Sequence, residues 1–335
     1  MAALVALRLA LGCHFLYEGI WKIKHSDFLH EGAWKVEGER GDAFPFSARP
    51  FLAQAKGPLA HFFYAMVPDI DARERLRIVT DADGKRSIPA DAITAHWDRM
   101  RQEFADHYRP ADASDPEAEA AHERLDAEAQ RTYQEFCKKL RNYLAENFDE
   151  IAAYFGSLDR FGKDNERHQD APFQKQRRWD RMMELRGQAD KWIKDIEGQE
   201  RAYANTLYGL LNKEQRALSL PHASWNPLRW DRMEQINAAV TFGLTAIGLC
   251  LMLGFCTPLA ALGGAAFMCF VVMTQPAFPG IYPPDPNVVG HALLVNKDFV
   301  EMVALLAIAA TRAGRWGGLD FFLGRWFSAH KVKGQ

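Results

Sequence analysis

The chain has 335 residues, with 41 Lys and Arg against 43 Asp and Glu, for a net charge of −2. Basic and acidic residues are interleaved and no basic block stands alone, which argues against a nucleic-acid partner. Five cysteines without a CxxC spacing give no disulfide framework.

Mean hydropathy is slightly negative, but it averages two unlike materials. Apolar segments at both ends enclose a long charged middle. The first, Met1 to Tyr17, reaches the about 20 residues a bilayer core requires if it runs on through Glu18 to Ile23. Trp21 and Lys22 then serve as interface anchors. It lacks the basic start and small-residue site of a cleaved signal, so residues 1–24 are expected to stay as transmembrane helix 1.

Residues 25–230 form a helical insert. Ser26 to Pro68 is aromatic and turn-rich, with one short helix expected over Arg49 to Met66. Asp81-Ala82-Asp83-Gly84 reads as a turn; no Glu closes it as a calcium loop. Further on, Trp97, Met100, Phe104 and Tyr108 recur at helical spacing. So do Tyr133, Phe136, Leu140, Tyr143, Phe148, Ile151 and Phe155, and then Trp179, Met182, Leu185, Ala189, Trp192 and Ile196. Each stripe opposes charged residues, the pattern of helices with one buried face. An antiparallel helical hairpin or small bundle is expected; the alternative is a docking surface for a partner. No metal-ligand spacing appears, and His107, His122 and His168 are expected to be solvated.

Residues 231–312 carry three more apolar runs: Ile236 to Phe255, Leu259 to Met273 and Phe299 to Ala310. The last spans only if it starts near His291 and takes Lys297, Asp298 and Glu301 with it; otherwise it is a buried helix of a soluble domain. A proline-rich loop over 275–296, with Pro276, Pro279, Pro283, Pro284 and Pro286, reads as a stiff cap. The tail, 313–335, is expected to be an amphipathic interfacial helix. Its Arg and Lys place it on the cytoplasmic side by the positive-inside rule, and four spans then place the insert outside.

Ionisable residues inside a bilayer are costly. Arg8 lies two turns into helix 1, and its expected partner across the bundle is Glu301; the alternative is a side chain that snorkels to the interface. Toward the outer end, His14, Glu18 and Lys22 share a helix face, and Lys297 and Asp298 enter the last helix at the same level. Together with His291 they form a candidate polar pocket for a quinone headgroup, or a set of charges that only satisfy one another. Cys250, Cys256 and Cys269 suit small apolar packing better than a dithiol.

The opening Val5-Ala6-Leu7-Arg8-Leu9-Ala10-Leu11-Gly12, followed by Phe15-Leu16-Tyr17-Glu18-Gly19-Ile20-Trp21-Lys22-Ile23, resembles the first helix of DoxX-type membrane proteins. Gly254-Phe255-Cys256-Thr257-Pro258 and Asn296-Lys297 are similar to the same family's turn and last-helix start. The resemblance implies an all-α protein, a four-transmembrane-helix bundle in the bacterial cytoplasmic membrane. The large insert between helices 1 and 2 is a departure from it. Some members resemble the membrane subunit of a quinone oxidoreductase, and Arg8, Gly19 and Lys22 fall on motif positions without an agreed catalytic role. The expectation is a quinone-linked subunit of an electron-transfer complex that docks a protein partner on the insert, with no covalent or metal cofactor. The rival is a non-catalytic anchor, scaffold or assembly factor.

Overall fold

The computed structural model describes residues 1–25, 46–110, 115–165, 171–218, 230–274, 295–311 and 313–322. They form three layers: a set of apolar helices, a collar, and a charged helical bundle. Apart from one small β-ribbon, the described residues hold only helices and connections.

The apolar layer contains α1 (Ala2–Lys24), and three helices from the far end of the chain. We number these in chain order as α9 (Arg232–Leu253), α10 (Thr257–Thr274) and α11 (Lys297–Ala309). Among the described residues, α1, α9 and α10 are long and apolar enough to cross a membrane. At 1.5 Å per residue, α11 rises only about 20 Å, and the residues at 275–294 that precede it lie outside the described set. Asp231 starts α9 with a reciprocal cap: its carboxylate accepts from Glu234 N (2.7 Å) and its own N–H donates to the Glu234 carboxylate (2.8 Å). Gly254 ends it in the left-handed region at φ 63°, and Phe255 N donates back to Cys250 O at 2.9 Å.

The first two apolar helices run antiparallel and nearly touch. A Cβ on Gly248 would stand 2.6 Å from Leu16 Cα, and one on Gly19 would stand 2.6 Å from Thr245 N. Small residues are the means by which helices pack closely in lipid, where no hydrophobic force draws them together. Leu11, Phe15, Leu244, Leu251, Ala261, Met268, Leu305 and Ile308 fill the space among the four helices.

The collar comprises α2 (Arg49–Ala53) and α3 (Ala60–Met66). The single helix expected over 49–66 is two: α2 ends at Ala53 and α3 begins at Ala60, with Gly57-Pro58 in the connection, where proline's missing N–H keeps the ladder from running through. The collar is tied to the apolar layer by Lys56 N to Thr274 O (3.0 Å), Ala48 N to Asn237 Oδ1 (2.8 Å) and Arg232 Nη1 to Ala65 O (3.0 Å). It is tied to the bundle by Arg186. That guanidinium donates to Asp71 Oδ1 and to Ala53 O, both at 3.0 Å, and lies 4.4 Å over the Tyr64 ring. Lys56 lies 4.1 Å over the Trp179 ring in the same joint.

An antiparallel ribbon, β1 (Val79–Thr80) with β2 (Arg86–Ser87), follows. The expected turn at Asp81 closes it: Asp81 Oδ1 accepts from Asp83 N and Lys85 N, and Gly84 takes φ 79°.

The bundle is larger than a hairpin. It consists of α4 (Asp91–His107), α5 (Pro116–Glu146), α6 (Phe148–Asn165) and α7 (Pro172–Gly209), with a short α8 (Lys213–Arg216) after it. The helical stripes meet in its core, where Trp97, Met100, Phe104, Leu140, Ile151, Leu185 and Tyr203 are buried. Tyr154 packs edge-on against Trp192 at 5.7 Å. His122 departs from expectation: it is buried, and among the described residues its Nδ1 has no hydrogen-bond partner. Its place on the inward face of an amphipathic helix outweighed its polarity.

Trp97 Nε1 donates to Glu200 Oε2 at 2.9 Å, and His96 Nε2 stands 3.5 Å from Glu200 Oε1. The hydrogen bond with Glu200 holds the imidazole above its usual 6.5, against the effect of burial. Burial alone would raise Glu200, but His96 and Trp97 together bring it below 4.5. A raised histidine stabilises fully below its unfolded value and loses that contribution as pH rises through its folded value; a lowered carboxylate loses its contribution as pH falls. The pair therefore contributes most between about pH 4.5 and 6.5. The bundle's thermal unfolding midpoint is expected to drop from pH ~6 to pH ~8. His96→Gln should flatten that interval; an unchanged slope in the variant would assign the pH effect elsewhere.

Candidate functional site

Two features stand at opposite ends of the apolar layer. At the Lys24 end of α1, the collar and the helices enclose a cavity of about 390 Å³. Six phenylalanines line it: Phe46, Phe51, Phe62 and Phe63 from the collar side, and Phe267 and Phe270 from α10. Met66, Ile236, Val240 and Val271 complete its apolar wall. Among the described residues around it, Lys22 is the only charged one. Phe63 meets Phe270 edge-on at 6.2 Å, and Phe267 meets Phe15 of α1 at 6.3 Å.

Lys22 enters this wall from the last turn of α1. Its Nζ pairs with Glu18 Oε2 at 2.7 Å and lies 5.0 Å from the Phe46 ring. One turn before Glu18, His14 Nε2 stands 3.7 Å from Glu301 Oε1 on α11. Glu18 lies in the field of Lys22, His14 and Lys297. Glu301 lies in that of His14, Lys297, Asp298 and Glu18. The polar stripe read from the sequence thus converges at the α1–α11 seam, with Asn296 capping α11 through Phe299 N at 2.8 Å. Lys22 alone of that stripe reaches the cavity. His291 and most of the proline-rich loop lie outside the described residues.

The expected partnership of Arg8 with Glu301 is not what the structure holds. Arg8 is 1% exposed, and its Nη1 donates to Ala313 O at 3.3 Å, beyond the end of α11. Among the described residues its Nε has no hydrogen-bond partner. Depth explains the difference. His14 is six residues from Arg8, about 9 Å along the helix, and the antiparallel register sets Glu301 opposite His14 rather than Arg8.

Arg8 is instead the centre of a knot at the Met1 end. Its guanidinium passes between Gly254 and Gly318, where a Cβ on either would meet it: Cζ at 3.0 Å from Gly254 and Nη1 at 2.6 Å from Gly318. Leu319 N donates to Leu253 O, Asp320 N to Gly254 O (2.8 Å), and Thr257 N to Asp320 Oδ2 (3.0 Å). The tail helix expected over 313–335 does not begin at 313: a 3-10 turn at Ala313–Arg315 and a glycine corner, Gly317 taking φ 67°, come first, and residues 320–322 are helical. Residues 323–335 lie outside the described set.

Sequence reasoning missed the phenyl wall and the knot. Phe44-Pro45-Phe46 and Phe62-Phe63 were visible as an aromatic run, but nothing local says that they fold back onto Phe267 and Phe270. The five cysteines are unpaired. No protein-family model, curated protein or solved structure matches this chain.

Proposed function

We propose that this chain is a DoxX-like membrane subunit of an electron-transfer complex, and that the phenyl-lined cavity takes the ring of a quinone. In this reading α11 and residues before it make a fourth span. The Lys24 end of α1 faces the extracytoplasmic side of a bacterial cytoplasmic membrane, and the bundle docks the redox partner that supplies electrons.

One observation carries the reading: an apolar cavity at the end of the spanning helices where, among the described residues, the single charged lining residue is already neutralised. Its size falls in the range of small-molecule sites, roughly 300–1,000 Å³. Lys22 has three Nζ hydrogens, and the Glu18 carboxylate accepts one of them. A neutral quinone carbonyl accepts a second hydrogen while the ion pair stays intact. A phosphate or carboxylate would compete with Glu18 for the same charge, so the site favours a neutral amphiphile with a carbonyl acceptor. The phenyl rings stack with the quinone ring, and its isoprenoid tail stays in lipid.

The test is binding of a quinone analogue to the full-length protein in mild detergent, with extraction of co-purifying quinone beside it. Lys22→Met keeps the side chain's bulk and removes the donor. A hydrogen bond to a charged group is worth about 1.5–3 kcal/mol, so affinity should fall roughly 10- to 100-fold. Phe63→Trp, which fills the cavity, should weaken binding as well. Equal binding by all three proteins would move the quinone out of this cavity, and none by the wild type would leave the chain as an anchor or scaffold.

A further inference from the structure

We propose that the collar is a membrane-inserted element, with α2 and α3 lying in the bilayer interface and Phe51, Leu59 and Phe62 buried among lipid acyl chains. It is more than a linker between the spanning helices and the bundle, and the cavity mouth opens sideways into the leaflet.

Three observations carry this. The collar's own core is satisfied: Leu52, Ala55, Phe63 and Val67 are buried against Met233, Ile236 and Met273. Yet Phe51 is 46% exposed, Leu59 41% and Phe62 52%, which is a costly set of side chains to leave in water. These side chains adjoin an apolar surface that already faces lipid. Phe51, Phe62 and Phe270 all line the cavity, and Phe270, on the spanning helix α10, is itself 49% exposed. Finally, the level is right. Phe270 lies four residues before the end of α10 at Thr274, about 6 Å below it. The collar is fastened to that same end by Lys56 N to Thr274 O. Interfacial helices sit about 5–10 Å into the headgroup and acyl boundary. Two of the collar's basic side chains are engaged within the protein: Arg49 donates to Pro68 O and Lys56 covers Trp179 of the bundle.

The occupant of the exposed face is therefore lipid, by continuity with the spanning helices. The inference rests on α1, α9 and α10 crossing a bilayer and is independent of whether a quinone binds.

The experiment uses full-length protein in nanodiscs of phosphatidylcholine, unbrominated or brominated on the acyl chains near the glycerol. Phe62→Trp and Phe51→Trp each add one indole to the mouth, and Glu123→Trp adds one to an exposed helix of the bundle. The signal added by the first two should fall at least about twofold in brominated lipid, as expected for an interfacial depth, and that of the third should be unchanged. Two positions in the mouth guard against one variant misfolding. An added indole at both positions that is open to aqueous acrylamide and untouched by bromine overturns the proposal. One shielded from both overturns it too, since a protein would then cover the face. The parent's nine tryptophans include Trp21, in the last turns of α1; if bromolipid leaves the parent emission unchanged, the membrane placement falls and the collar's with it.

Discussion

Gly248→Leu is expected to separate the first two apolar helices and to be among the most destabilising single changes in the chain. A Cβ there meets the backbone of α1, at 2.6 Å from Leu16 Cα and 2.8 Å from Leu16 Cβ. Neither atom can rotate away, so the helices themselves must part. Overpacking of this kind costs typically 1–3 kcal/mol and sometimes more, and the loss of close helix contact in lipid adds to it. A suitable control lies on the same helix. At Gly243 an added Cβ has nothing within 4 Å, so Gly243→Leu should stay within about 0.5 kcal/mol of wild type. Thermal unfolding of the detergent-solubilised protein separates the two. Similar midpoints for both variants would mean that α1 and α9 are not in the contact described. Gly19→Leu, opposite Thr245, should behave like Gly248→Leu.

The second large effect is expected at the knot around Arg8. Gly254 sits at φ 63°, where a side chain is strained by roughly 1 kcal/mol, and its missing Cβ leaves the passage for the guanidinium. Gly254→Ala should therefore cost about 2–3 kcal/mol, strain and overpacking together. The two parts can be separated. Arg8→Ala removes the guanidinium from the way, but neither the backbone strain nor Gly318 Cα, which the same Cβ would meet at 2.7 Å. In the double variant the second substitution should cost about 1 kcal/mol less than it does alone. Strict additivity would show that Arg8 does not pass beside Gly254. The single change Arg8→Ala is itself expected to destabilise, because it empties a fully buried volume and removes one of the two hydrogen bonds to Ala313 O, the other coming from Trp316 N.

Both predictions concern glycines that period and hydropathy do not tell apart. Gly243, Gly248 and Gly254 stand within one short stretch. Only the antiparallel register distinguishes them: one faces open space, one a helix backbone and one a buried charge. Arg8 shows the same limit. Its depth, two turns into an apolar run, was legible, but its partner was not. Choosing between Glu301 and a carbonyl beyond α11 required relative depths to within a turn, and these depend on how two helices slide against each other.

The ionic stripe was more legible. His14, Glu18 and Lys22 recur every four residues on an otherwise apolar helix, and such a stripe has to face another polar surface. The last helix, which begins Lys297-Asp298 and carries Glu301 one turn later, is where it meets that surface. Spacing set Lys297 and Asp298 at the level of the stripe but gave Glu301 to Arg8; the approach of Glu301 to His14 came only with the structure.

The sequence by itself determined the material of each layer: apolar helices at the two ends, amphipathic helices between them, and the stripes that became the bundle core. Those properties follow from side-chain period and transfer free energy, which are local. The tertiary structure decided what is brought together from afar. Phe46, Phe51, Phe62 and Phe63 face Phe267 and Phe270 across some two hundred residues of intervening chain only because the collar folds back onto α10 (a span that costs about (3/2)RT ln n in closure entropy). Burial of that aromatic surface offsets the entropy, and the cavity with Lys22 in its wall exists only once the closure is made.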